Sequence, residues 1–387
     1  MSLLERLRPA REVTLPRDAA VGLRWGALAR QRRTSVGIDF GAGALKIAQI
    51  RWTRQGPRLE NFAVVPVAPG QMDEGAIRDP GEMAELLRNT IAAMGLTQNV
   101  VGTCVGGPNI LVRHINLPKV SSEDLRAAMK FEAPQHLPIP EDQMIYDFTP
   151  VPEVTGIPEH QTAVFLTGTH KKLIDSFITT LNRAGLRPTA IELDCLTVHR
   201  ALESMGLVPH GNQAPLVLLD FGELATRVSI VRYGVPMLQR SIPTGLHHLR
   251  VALADTLHIS ASEAENALRL QGVDQDSNLT SAVSPWLNSL MESVGRSIEF
   301  FLIQNRGATL ERVFLTGGGA MLPSLADVLT THVQNILAGR PEVEQFRVQP
   351  VGLAGLDINP ELLPAVNQYG SLLLSALGSA LREGSPE

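Results

Sequence analysis

The sequence predicts an α/β protein made of two related halves that face each other across a cleft. The first observation is a long-range repeat. Residues 35–50, SVGIDFGAGALKIAQI, and 216–231, LVLLDFGELATRVSIV, both read apolar-Asp-Phe-Gly, two residues, Ala, one residue, a basic residue, then an apolar run. Asp39, Gly41, Ala44 and Lys46 thus match Asp220, Gly222, Ala225 and Arg227, 181 positions apart. That interval is about one domain length, which marks a duplicated domain rather than a solenoid. The second observation is FLTGGGAMLP, an apolar strand pattern that meets Gly317, Gly318 and Gly319 before turning into a helix expected to start near Leu322 and Pro323.

The bulk properties bound the reading. A chain of 387 residues exceeds what one core organises, so two or more domains are expected. With 44% hydrophobic and 19% charged residues the composition is that of a globular protein, not a disordered one. A net charge of −5 argues against nucleic acid as a partner. Cys104 and Cys195 form neither a metal cluster nor a disulfide framework and read as small apolar fillers in a reducing cytoplasm. No apolar run approaches the roughly 18–20 residues that cross a bilayer, and the first residues lack the apolar core of a secretory signal. A soluble cytoplasmic chain is expected.

The elements follow in order. Residues 1–34 form an arginine-rich arm, Arg6 through Arg33, read as a tail or as a contact with acidic lipid or a partner. After the strand at 35–39 comes a hairpin, ALKIAQIRW and LENFAVVPV about a turn at RQGPR. GEMAELLRNTIAAMGL has helical spacing, and NVVGTCVGG reads as a strand. The segment from His114 to Val151 breaks the pattern: strand, helix capped by Ser121 or Ser122, proline-rich loop, strand. AVFLTGTH is a buried strand, KKLIDSFITTLNRAG an amphipathic helix stopped by Gly185, and ELDCLTVHRALESMG the start of another helix. The second half is mostly helical from 246 to about 310, with SPWLNSLMESVGRSIEFFLIQN as its longest helix, and QYGSLLLSALGSALRE closes the pattern as a further helix.

The loop GIDFGAGALK is no dinucleotide turn, because Lys46 stands where a third glycine belongs and the next run is β, so no helix N-terminus faces a pyrophosphate. It is no P-loop either, since the chain has no Gly-Lys pair. A strand, a tight glycine turn and a strand can place backbone N–H groups around an anion. An aspartate before such a turn can hold Mg²⁺ through water, and a lysine can reach a phosphate as a point charge. Two such hairpins facing each other would clamp a triphosphate and its metal from both sides.

These three motifs, in this order, resemble those of the actin-like ATPases: phosphate 1, phosphate 2 and the adenosine turn. The segment LPKVSSEDLRAAMKFEAPQHLPIPEDQMIYDF, with GRSIEFFLIQN and VFLTGGGAMLPSL, is similar to the PilM family of type IV pilus assembly proteins. The resemblance spans about residues 35–383. It implies an actin-like (ribonuclease H-like) duplicated fold: a first large subdomain at 35–108 and 164–212, an inserted small subdomain at 109–163, a second large subdomain at 213–245 and 311–360, a second small one at 246–310, and a C-terminal helix and tail at 361–387. It implies ATP and Mg²⁺ in the cleft, with Asp39, Gly41, Gly43, Lys46, Asp220, Gly222, Glu265, Gly317, Gly318 and Gly319 around the nucleotide, and Asp39 and Asp220 holding the metal through water. Glu192 or Asp194, at the start of the connecting helix, would position an attacking water, although Asp194 also reads as that helix's cap. The implied partner is the cytoplasmic tail of a PilN-like membrane protein, with other inner-membrane pilus proteins beside it. That would place the chain at the inner membrane through its partner and leaves self-association open.

The sequence departs from the family in the nucleotide motifs. Ala42 and Ala44 replace small hydroxyl residues, and in AENALRLQG the family's lysine position holds Leu268, with Arg269 expected to point elsewhere. Nucleotide binding is therefore expected to be weakened, and both ATP binding and turnover are left open. Three alternatives stand beside the scaffold reading: a small-molecule phosphotransferase, a filament former (which the tail SALREGSPE does not support), and a docking module that has lost its nucleotide. His247 and His248 read as solvent-facing or capping residues, Trp286, Phe300 and Phe301 as core, and Phe131 and Glu132 as core or groove.

Overall fold

The computed structural model describes residues 34–151, 157–210, 214–273, 278–310, 312–343 and 345–382. The arginine-rich arm lies outside them. The first half is a mixed sheet. Strands β1 (Thr34–Phe40), β2 (Ala44–Thr53) and β3 (Gly56–Pro66) form an antiparallel meander. A two-residue pair, β4 (Met72–Asp73) and β5 (Ala76–Ile77), leads to helix α1 (Pro80–Ala93), whose N-cap Asp79 accepts from the amides of Gly81 and Glu82. Strand β6 (Val100–Val105) then pairs parallel to β1.

A small unit follows, and it runs past residue 163, where the sequence placed its end, because all of β9 belongs to its sheet. It holds β7 (Leu111–Pro118), α2 (Ser122–His136), β8 (Met144–Val151) and β9 (Gln161–His170), in strand order β7-β9-β8. Ser121 caps α2 by accepting from the Asp124 amide at 3.1 Å. A separate core of Leu125, Met129, Ala133, Val164 and Leu166 holds the unit together. Helices α3 (Lys171–Arg183) and α4 (Asp194–Ser204) flank β10 (Arg187–Leu193), which pairs parallel to β6.

The second half repeats the plan. Strands β11 (Leu216–Phe221), β12 (Thr226–Arg232) and β13 (Val235–Ile242) form the meander, and β14 (Arg312–Thr316) and β15 (Arg347–Pro350) add in parallel. Sheet orders β10-β6-β1-β2-β3 and β15-β14-β11-β12-β13 correspond strand for strand. Between β13 and β14 stand α5 (Leu246–Leu257), α6 (Ala261–Gln271) and α7 (Asn278–Gln304); α8 (Leu325–Ile336) follows β14.

Residues beyond β15 return to the first half. Strand β16 (Asp357–Ile358) pairs with β3, and after α9 (Leu363–Tyr369) helix α10 (Leu374–Arg382) lies across β1, β2, β6 and α4. Glycines permit the close approach: a Cβ on Gly37 would stand 1.9 Å from the Ala376 carbonyl oxygen, and one on Gly378 1.8 Å from that of Thr197. Leu374, Leu377 and Leu381 are buried there, each contributing about 1.5–3 kcal/mol of apolar burial.

Three further expectations are corrected. Glu192 and Leu193, expected to open a helix, instead close strand β10, and the helix begins at Asp194. After the glycines the chain makes one 3₁₀ turn, Gly318–Met321, and α8 begins only at Leu325. Phe301 is in the core, but its neighbour Phe300 is 54% exposed, because successive helix positions point about 100° apart.

Candidate functional site

The duplicated hairpins build their turns alike. Asp39 faces Lys46 across β1–β2, and Asp220 faces Arg227 across β11–β12. The Gly41 amide donates to the Ala44 carbonyl at 3.0 Å, and the Gly222 amide to the Ala225 carbonyl at 3.0 Å. The turns meet tip to tip: a Cβ on Gly43 would lie 3.2 Å from that of Glu223. Helix α5 starts on the second turn, its Leu246 and His247 amides donating to the Gly222 and Glu223 carbonyls at 2.9 Å each.

The third motif closes the far side. Gly317 has φ +75°, and a Cβ there would stand 2.4 Å from Asp220 Oδ1, so no other residue fits the turn. Its amide donates to the Ser371 carbonyl at 3.3 Å, bringing the segment after α9 into the wall. Together these elements enclose a cleft of about 860 Å³. Asp39, Gly41, Gly43, Lys46, Asp194, Asp220, Gly222, Glu265, Gly317 and Gly318 all line it. Gly319 packs behind the wall, where a Cβ would strike Phe221 at 2.0 Å.

Glu192 is not brought into the cleft. It is clasped by Arg200, whose two Nη atoms donate at 2.6 and 2.9 Å, and by Arg382 of α10 at 2.6 Å. The water-positioning role expected of it gives way to that of an anchor between α4 and α10. Asp194 does reach the cleft floor, but it is the first helical residue of α4 rather than its cap, which is Leu193. Its Oδ1 accepts from the Cys195 amide at 2.7 Å and from Gln239 at 3.2 Å. Arg227 Nε stands 2.8 Å from its Oδ2; the N–H is not aimed along that line, so the contact is Coulombic rather than a hydrogen bond.

Burial, with Asp220 and Asp39 nearby, pushes the Asp194 carboxyl up to about 6 against the pull of Arg227. Burial is opposed at Arg227 by three carboxylates, Asp220, Asp194 and Asp39, which together hold its proton more firmly than usual. Three acids share two cations, Lys46 and Arg227, so the floor is one positive charge short. Cys104, 3.9 Å from Asp39, is raised well above the thiol range by burial and these acids, and Cys195 is raised likewise; both are inert fillers, as their residue type suggested.

Toward the second small unit a chain of ion pairs runs from Glu223 to Arg250 to Glu265, the last step at 3.2 Å, and from Glu265 to Arg269 at 3.8 Å. Arg269 lines the cleft rather than pointing elsewhere, while Leu268 is buried in the core at the cleft wall. Sequence reasoning missed Glu223, Arg250 and Gln239. Glu223 sits inside the matched motif; the other two carry no local signal.

The Mg²⁺ expected at Asp39 and Asp220 does not fit these residues. A hydrated ion would have to sit beside the cations that already hold one oxygen of each acid, and like charges repel. Asp39 Oδ2 is held by Lys46 at 3.0 Å, and Asp220 Oδ2 by Arg227. Among the described residues, no group of three or more His, Cys, Asp or Glu side chains is arranged to hold a metal ion.

Two matched sheets, matched hairpin turns and a glycine turn around one cleft define the actin-like class of proteins. The family model for the type IV pilus assembly protein PilM matches residues 37–346, and the chain belongs to that family. Among solved structures, it is similar to the PilM–PilN type IV pilus biogenesis complex, with a TM-score of 0.77 and 24% identity over 91% of this chain and 99% of that one. It is also similar to MreB5 of Spiroplasma citri bound to ADP (TM-score 0.53, 11% identity, 91% and 97% covered). EutJ of Carboxydothermus hydrogenoformans matches at TM-score 0.50 and 16% identity, with 90% and 89% covered. The curated ethanolamine utilization protein EutJ of Escherichia coli (strain K12) is 27% identical over 137 residues, 35% of this chain; the match spans 45% of that relative's length. No described helix is long and apolar enough to cross a membrane.

Proposed function

We propose that this protein is a scaffold of pilus assembly that takes a nucleotide, ATP in the family's pattern, in the cleft and holds the extended cytoplasmic tail of a PilN-like membrane protein. The observation that carries the nucleotide reading is the pair of hairpin turns, each closed by the same glycine-to-alanine hydrogen bond, that face each other beside the Gly317 turn. The tail would lie between the first large unit and the inserted unit, with apolar side chains in pockets. Phe131, 74% exposed on α2, would be its apolar anchor on the inserted unit. Attachment to such a partner would keep the protein at the inner membrane.

Turnover would be slow, because Asp194 Oδ1 already accepts from the Cys195 amide and Gln239, and Oδ2 lies against the charge of Arg227, so the carboxylate is not free to turn toward a water. A specific observation favours a second reading, a docking module without nucleotide: Lys46, Arg227 and Arg250, the cations a phosphate would use, are all paired with carboxylates. Calorimetric titration with ATP, beside an Asp39→Ala variant, separates the two. Binding lost in the variant supports the nucleotide scaffold. No binding by the folded wild type leaves the docking module, and a partner-tail peptide is then the ligand to titrate.

A further inference from the structure

We infer that the guanidinium of Arg227 takes the place of a divalent cation on the cleft floor, so that this protein carries its own counter-ion and needs no metal there. Three carboxylates from three elements converge: Asp39 on β1, Asp194 at the head of α4 and Asp220 on β11. One side chain serves two of them. Arg227 contacts Asp220 through Nη2 and reaches across the cleft to Asp194 through Nε at 2.8 Å, and it lies in the field of Asp39 as well.

The duplicated hairpin shows why the residue is arginine. Lys46 holds the matching register position in the first half, and its ammonium stops at Asp39, 3.0 Å away, as a point charge. The guanidinium spreads its charge over a wide plane, so Arg227 donates to an acid of its own sheet through Nη2 and holds an acid of the other half by charge through Nε. It is therefore both counter-ion and cross-link. A hydrated Mg²⁺ would have to enter against the charges of Arg227 and Lys46, and at Asp194 Oδ1 it would compete with Gln239 and the Cys195 amide. Arginine does not lose its proton in proteins, so the ion could enter only by expelling the side chain.

The experiment uses the full chain and the metal alone as probe, so it stands whether or not nucleotide binds. Mn²⁺ is titrated into wild type, Arg227→Ser and Arg227→Lys, read by the loss of its free electron-resonance signal and by melting temperature against an EDTA control. Wild type is expected to leave Mn²⁺ free and to melt at the same temperature with and without it. Arg227→Ser is expected to bind one ion and to gain on the order of 5 °C near hundredfold saturation. Arg227→Lys keeps a charge but cannot span to Asp194, so it should bind Mn²⁺ more tightly than wild type, and it carries the test if the serine variant does not fold. Binding of Mn²⁺ by wild type that disappears in Asp39→Asn would overturn the inference, as would variants that bind no more Mn²⁺ than wild type. Should ATP bind, its affinity in EDTA is expected to equal that in Mg²⁺; a magnesium requirement would also overturn it.

Discussion

Replacing Glu192 with Gln separates an anchor from a catalyst. The side chain is 9% exposed and receives three guanidinium contacts, two from Arg200 and one from Arg382. The amide keeps the shape but leaves two cations facing a neutral group. Removing one partner of a fully buried pair costs about 3–5 kcal/mol. Arg200 and Arg382 are 29% and 38% exposed and retain some water, so screening reduces the expected loss to about 2–3 kcal/mol. For a unit of this size that lowers the melting temperature by about 2–4 °C per kcal/mol, roughly 4–12 °C in all. Deuterium exchange should quicken in β10, α4 and α10 and stay unchanged in β11–β15, while ligand affinity holds. An unchanged melting temperature with lost turnover would refute this reasoning and return Glu192 to the chemistry.

The Asp194 carboxyl, about 6 when folded and near 3.9 unfolded, holds a proton between those values that the unfolded chain has released. Its stabilising share is full below about pH 4 and falls by up to roughly 3 kcal/mol as pH rises through 6. The stability difference between wild type and Asp194→Asn should therefore shrink from pH 4 to pH 7 in denaturant titrations; a difference that grows with pH contradicts the assignment. Gly378→Ala sets a Cβ 1.8 Å from a backbone oxygen that no rotamer can relieve. It should cost about 3 kcal/mol or more despite the gain of about 1 kcal/mol in helix propensity, and a variant as stable as wild type would show that α10 does not pack on α4. Phe131→Ala should lower affinity for a partner-tail peptide about tenfold without moving the melting temperature; unchanged affinity would remove Phe131 from the docking surface.

The hairpins were legible because strand period, glycine turn and the Asp–basic register all sit within ten residues and occur twice. Gly317 was legible for a related reason, a strand ending in glycines. Strand β10 was not: its polar positions Glu192 and Thr189 interrupt the apolar run, and only pairing with β6 makes RPTAIEL a strand. Strand β16 has two residues, too few for any period to show. The side of a helix was harder still. Leu268 was placed by the family's lysine position and Arg269 by its one-residue offset on a helix, yet α6 turns the leucine into the core and brings the arginine to Glu265. Arg227 was recognised as a basic position, but its reach to Asp194 depends on how the halves meet, which nothing local to either hairpin encodes.

The return of the chain to its first half carries a consequence for synthesis. Translation delivers β11 through β15 before β16 and α10 exist, so the second half has all its strands while the first still lacks its last strand and its covering helix. Until residues 357–382 leave the ribosome, the face of β1, β2 and β6 that α10 will cover stands bare, with the close-approach site at Gly37 open. The half that appears first is thus finished last, and during that interval it is the natural client of a chaperone and the first target of a protease.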